Sequence, residues 1–207
     1  MPLTSTLDRM ISAPANSTHP KTRVAWRNWL EAHHASATGV WLISFKKATG
    51  KARFQYEEAV EEALCFGWID SKPRKLDEDR SMLWFAPRKA KTGWSRPNKE
   101  RVARMVQQGL MAPAGLAKVT AAKADGSWSA LDAVEDLEIP ADLEIALAAL
   151  PRAAENFDSF PRSAKRGILE WIANAKRAET RQARVAETAR LASQNERANQ
   201  WKGKNAV

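Results

Sequence analysis

Tyr56 to Phe66 constrains the fold of this chain more than any other stretch. Tyr56, Ala59, Val60, Ala63 and Leu64 fall at i, i+3, i+4, i+7 and i+8, the spacing of one apolar helix face, while Glu57, Glu58, Glu61 and Glu62 take the other side. Gly67 then offers the left-handed residue that ends a helix, and Trp68-Ile69-Asp70 continues as extended chain. A helix passing through one glycine into a strand commits this half to a sheet with helices packed on it. The four glutamates are expected to face solvent and to suit the helix N-terminus.

The surrounding segments fit that arrangement. Lys21 to Ala35 reads as a helix, with Val24, Ala25, Trp26, Trp29 and Leu30 in an apolar stripe and His33-His34 at its C-terminal end. Gly39 to Phe45 is a short run of β-formers that closes at Lys46-Lys47 and the turn signal Thr49-Gly50-Lys51. Lys72 to Leu76 and Ser81 to Pro87, separated by Asp77-Glu78-Asp79-Arg80, form a hairpin, so that the sheet has about three or four strands. Asn98 is expected to cap a helix ending at Gly109, and Pro113 opens another reaching about Lys123.

Past this point the composition changes. Asp125 to Glu144 carries 7 acids and no base, whereas Lys72 to Arg104 has 11 Lys and Arg against 4 Asp and Glu. The acidic stretch is expected to cross the surface as irregular chain. Beyond Pro140 the pattern is helical: Leu143, Ala146, Leu147 and Leu150 share one face, then Ala164, Ile168, Trp171, Ile172 and Ala175 another, and basic residues alternate with alanines up to Leu191. The expected fold is α+β: a small, mostly antiparallel sheet packed with helices over 1–124, an acidic connector over 125–140, an all-α helical module over 141–195 and a polar tail over 196–207.

Composition narrows the classes of function. A single cysteine excludes an internal disulfide, and three histidines, two of them adjacent, do not make a metal cluster, so no metal or cofactor is expected. Adjacent helical residues point about 100° apart. No segment approaches the ~20 apolar residues of a membrane span, and the N-terminal residues lack a signal-peptide core. A cytoplasmic protein, monomeric or weakly dimeric, is expected. The net charge of +9 favours anionic partners. Lys176, Arg177, Arg181 and Arg184 are the residues expected to meet nucleic acid or another polyanion if the chain binds one.

The aromatic composition is skewed, with 9 Trp against 1 Tyr. Trp68, Trp94 and their neighbours Asp70, Arg88, Ser95 and Asn98 are the candidate ligand-binding residues. Arg88 can grip an anion, Trp94 can stack on a planar group, and the helix start at Asn98 can offer amides to a phosphate or carboxylate. Asp70, next to apolar walls, is the candidate catalytic base, or else a structural carboxylate paired with Arg88. Cys65 sits at a helix C-terminus, where the dipole opposes a thiolate, so a structural role is expected. No nucleophile triad, phosphate loop or dinucleotide fingerprint is present. Whether the chain is an enzyme stays open.

Several stretches together resemble the YdeI/OmpD-associated, or bacteriocin-protection, family. They are Trp29-Leu30-Glu31, Gly39-Val40-Trp41-Leu42, Glu62-Ala63-Leu64-Cys65-Phe66-Gly67-Trp68-Ile69-Asp70-Ser71, Pro87-Arg88-Lys89, Trp94-Ser95, Asn98, and Gly109-Leu110-Met111-Ala112-Pro113-Ala114-Gly115. Downstream, Trp171-Ile172-Ala173-Asn174-Ala175-Lys176-Arg177-Ala178-Glu179-Thr180-Arg181 resembles the family's helical module. Gly67-Trp68-Ile69-Asp70 is the most specific element. The resemblance implies a bacterial protein of stress or bacteriocin resistance that binds a small molecule or protein partner; it implies no particular reaction.

Overall fold

The computed structural model describes residues 13–200. The chain divides into two compact units, Met1–Trp128 and Ser129–Val207. In the first, α1 (Arg23–His33) starts where the Thr22 hydroxyl accepts the Ala25 N–H at 3.2 Å. It ends where His33 and His34 donate from Nδ1 to the carbonyls of Trp29 and Leu30. Then follow β2 (Val40–Phe45), α2 (Tyr56–Cys65), β3 (Trp68–Lys75), β4 (Arg80–Pro87), α3 (Arg96–Gln107) and α4 (Pro113–Ala124). A two-residue strand, β1 (Ser17–Thr18), precedes them. Its polar residues carry no period-2 signal, and nothing in the sequence announces it.

The four strands lie in the order β1-β2-β4-β3. β4 pairs antiparallel with both β2 and β3, and β1 is parallel to β2. The register sorts the side chains between two faces. Val40 pairs with Phe85 and Asp70 with Phe85 on the face toward the helices; Trp41 pairs with Trp84 and Ile69 with Ala86 on the opposite face. Between Asp70 and Pro73 the register slips, at the point where proline brings no N–H to the ladder.

The helix-facing side carries the main core, with Trp26, Leu30, Val60, Leu64, Trp68 and Phe85 among its fully buried side chains. Each contributes about 1.5–3 kcal/mol by leaving water. The Trp26 indole N–H is satisfied by the Ala59 carbonyl at 3.0 Å. The stripe expected on α1 is narrower than its sequence suggested: Trp26 and Leu30 are buried, but Val24 and Ala25 are exposed. Tyr56, at the start of the α2 stripe, is half exposed.

The charged face of α2 departs from expectation in a more consequential way. Glu61 and Glu62 are buried, Glu62 at 2% exposure, because α1 and α3 bring arginines over them. Glu62 accepts from Arg23 Nε at 2.6 Å and Arg27 Nη1 at 2.7 Å; Glu61 meets Arg23 at 3.1 Å and Arg104 at 2.9 Å. Burial alone would lower Arg23 and Arg27, but the hydrogen bonds and charge of Glu62 raise both above their ordinary value. Two carboxylates thus tie three helices together.

In the second unit α5 (Asp132–Glu135), α6 (Ala141–Ala148), α7 (Ala153–Ser159), α8 (Arg162–Ala173) and α9 (Ala178–Ser193) enclose Leu143, Leu147, Phe157, Ile168 and Ile172. The acidic stretch expected to run as irregular chain holds the single turn of α5. Leu131 and Val134 are buried there and anchor it in this core. Past α9 the chain does not fray at once, since Ala198 is buried in the same core. Residues 201–207 of the expected polar tail, and residues 1–12 at the other end, lie outside the described residues. Among the described residues no helix is long and apolar enough to cross a membrane.

Candidate functional site

A cleft of about 740 Å³ opens on the sheet face turned away from the helices. Strand alternation builds its floor: Trp41 from β2, Trp84 and Ala86 from β4, and Ile69 from β3 all project to this side. The Trp41 and Trp84 rings meet edge to face, with centroids 5.2 Å apart. Gly39 makes room for Trp84, because a Cβ at that position would stand 2.2 Å from the indole ring. Asn16, Ser71 and Thr92 add hydrogen-bonding groups, and Lys72 and Lys89 stand exposed on the wall.

Arg88 forms one end of the cleft. Only 6% of the residue is exposed, and its guanidinium lies 3.7 Å from the ring centre of Trp94. One nitrogen, Nη2, donates to the Gly93 carbonyl at 3.0 Å and reaches the Thr92 carbonyl at 3.5 Å. Burial pushes its pKa down to about 10, so it remains cationic at neutral pH. Among the described residues no carboxylate pairs with it. A buried charge without a counter-ion is costly, and an anion in the cleft would offset that cost.

The expected site residues divide accordingly. Arg88 and Trp94 come together, and Arg88 reaches the cleft. Trp68 is buried in the helix-side core, its indole N–H donating to the His34 carbonyl at 3.2 Å. Asp70 lies between Ile69 and Ser71 and therefore points to the opposite face, where it accepts from the Tyr56 hydroxyl at 3.0 Å. It pairs with Tyr56 rather than Arg88. Ser95 takes the N-cap position of α3, with Pro97 in the first turn. Asn98, expected to cap that helix, is inside it, and its Oδ1 accepts from Arg101 at 2.6 Å.

The contact at Asp70 is directly measurable, since Tyr56 is the chain's one tyrosine. Burial, and then the charge and hydrogen bond of Asp70, push the phenol up to about 12. Asp70→Asn removes the charge that opposes the phenolate, so an ultraviolet difference titration should move toward the ordinary value of about 10. An unchanged titration would show that the contact does not exist in solution.

Cys65 is buried in the core; desolvation, and then the Glu62 charge, raise its thiol to about 11. The structural role expected of it holds, with burial as the larger cause. Among the described residues no three His, Cys, Asp or Glu side chains gather as metal ligands do. In the second unit Lys176 and Arg177 are exposed, but Arg181 clamps Asp142 through two bonds of 2.7 and 2.9 Å. Arg184 donates to the Trp171 carbonyl and lies 4.9 Å from the Trp171 ring centre. Two of the four expected polyanion contacts are thus engaged internally.

Trp41, Trp84, Ile69, Ser71, Lys72 and Lys89 were not among the expected site residues. The signal that could have found them is parity. Val40-Trp41-Leu42-Ile43 and Met82-Leu83-Trp84-Phe85-Ala86 are apolar at both odd and even positions, so each strand must present an apolar surface on both sides of the sheet.

Residues 136–195 match the family model described as bacteriocin-protection, YdeI or OmpD-associated. Residues 18–118 match a separate model, a domain of unknown function (DUF8412). The match to the YdeI/OmpD-associated family thus lies in the helical unit. The N-terminal stretches that carried much of the resemblance, Gly67-Trp68-Ile69-Asp70 included, fall under the other model. No curated protein and no solved structure matches the chain.

Proposed function

We propose that this protein binds, through its N-terminal unit, a small anionic ligand with an aromatic or apolar part, in the cleft between Trp41, Trp84 and Arg88. The observation that carries this reading is the buried Arg88 guanidinium, which has no carboxylate partner among the described residues and stands at the end of a tryptophan-floored cleft. Aromatic walls take the planar part, and the cation orients the anionic part. Ligand binding of this kind, in the bacterial cytoplasm, is the step through which the protein would serve stress resistance or the bacteriocin protection that the family description names.

Thermal melts with a panel of aromatic anions and their neutral counterparts test this. An anion present at 100 times its Kd should stabilise the chain by about 2.7 kcal/mol. The Lys72→Ala/Lys89→Ala double variant, altered only at exposed side chains, should melt normally without ligand and respond less to each anion. No stabilisation by any anion, equal stabilisation by the neutral counterparts, or an undiminished response in the double variant sinks the reading.

A further inference from the structure

Charge and size around Arg88 narrow the ligand further. A second, smaller cavity of about 70 Å³ lies on another side of Arg88 and Lys89 and is also lined by Lys91, Lys118 and Asp125. Counted together, the two cavities are lined by five cations, Lys72, Arg88, Lys89, Lys91 and Lys118, and by one carboxylate, Asp125. Asp125 is held below the usual carboxylate range by hydrogen bonds from Ser127, with Lys91 adding to the effect, so it is an anion at neutral pH.

A monocarboxylate would balance only a fraction of this excess. A phosphate monoester carries about −1.5 to −2 at neutral pH and presents three acceptor oxygens, which suits an arginine edge with lysines around it. The larger cleft has room for a ring system beside that group, and its floor is two half-buried tryptophans whose faces can stack on one. The Asn16, Ser71 and Thr92 side chains on the same walls suit a polar linker between ring and phosphate.

We propose that the ligand is a phosphate monoester of a planar ring system, of which a mononucleotide is the representative class, with the phosphate at Arg88 and Lys89 and the ring over Trp41 and Trp84. This rests on the anion-binding reading of the cleft. A free mononucleotide and the 5′-phosphorylated end of a nucleic-acid strand share this chemistry, and the test separates them.

Calorimetric titration of the full chain with adenosine 5′-monophosphate, adenosine, inorganic phosphate, 1-naphthoate and a 5′-phosphorylated hexanucleotide is the test. The mononucleotide is expected to bind at least tenfold tighter than adenosine, inorganic phosphate or naphthoate. Lys72→Ala/Lys89→Ala should weaken it at least fivefold and leave adenosine unchanged, and Trp84→Leu should weaken both the nucleotide and adenosine. Naphthoate binding as tightly as the nucleotide overturns the phosphate assignment while leaving the anion cleft standing. Inorganic phosphate binding as tightly overturns the ring. No binding by any of the anions overturns the cleft reading itself. A hexanucleotide tighter than the mononucleotide keeps the ring-and-phosphate chemistry and identifies a strand as its source.

Discussion

Gly115→Ala is expected to destabilise the N-terminal unit by about 3 kcal/mol, the upper end for added bulk in a packed site, and to lower its melting temperature by roughly 10 °C. The first turn of α4 lies directly against the end of α2. A Cβ on Gly115 would stand 2.2 Å from the Cys65 carbonyl oxygen and 2.8 Å from that of Leu64. Those are backbone atoms, and they cannot turn aside as a side chain would. The Cys65 carbonyl also accepts the Ala112 N–H at 3.1 Å, so moving α4 away breaks that bond as well. Gly167→Ala is the internal comparison: it lies inside α8 with nothing within 4 Å of the added carbon, and it should stabilise by about 1 kcal/mol. If the two substitutions shift the melts alike, the close approach of α2 and α4 is wrong.

Glu62→Ala is expected to cost about 3 kcal/mol in denaturant melts. One carboxylate accepts from Arg23 on one oxygen and from Arg27 on the other. Its removal leaves two guanidinium groups, each roughly two-thirds buried or more, with no carboxylate on Arg27, which keeps the Leu110 carbonyl at 2.8 Å, the Cys65 side chain and the face of Phe66. Breaking one partner of a buried pair is far more damaging than the pair's net worth. Asp79→Ala should cost under about 1 kcal/mol, because the Asp79 carboxylate and the Lys51 ammonium it meets are 54% and 51% exposed. Equal effects from the two would mean that Glu62 is solvated in solution.

The buried glutamates of α2 show where sequence reading stops. The helix–glycine–strand junction at 56–70 is legible because everything that determines it is local: a 3.6-residue period, then one residue at φ +75°, Gly67. The environment of Glu61 and Glu62 is not local, since their partners lie 35 to 43 residues away on α1 and α3. A row of glutamates on a helix looks the same whether water or arginine covers it. The site is split in the same way. Arg88 and Trp94 are six positions apart, and their association is visible in the chain. The faces that Trp41, Trp68 and Trp84 occupy are decided by cross-strand register, which no single strand records.

The burial of Cys65 has a practical consequence. A thiol titrating near 11 holds on the order of one part in ten thousand as thiolate at neutral pH, and this one is enclosed by core side chains. As the chain's one cysteine, it leaves the native protein close to silent toward thiol reagents. A cysteine introduced at Lys72 or Lys89 would therefore be modified alone, placing a fluorophore or spin label at the mouth of the cleft without first removing a native residue.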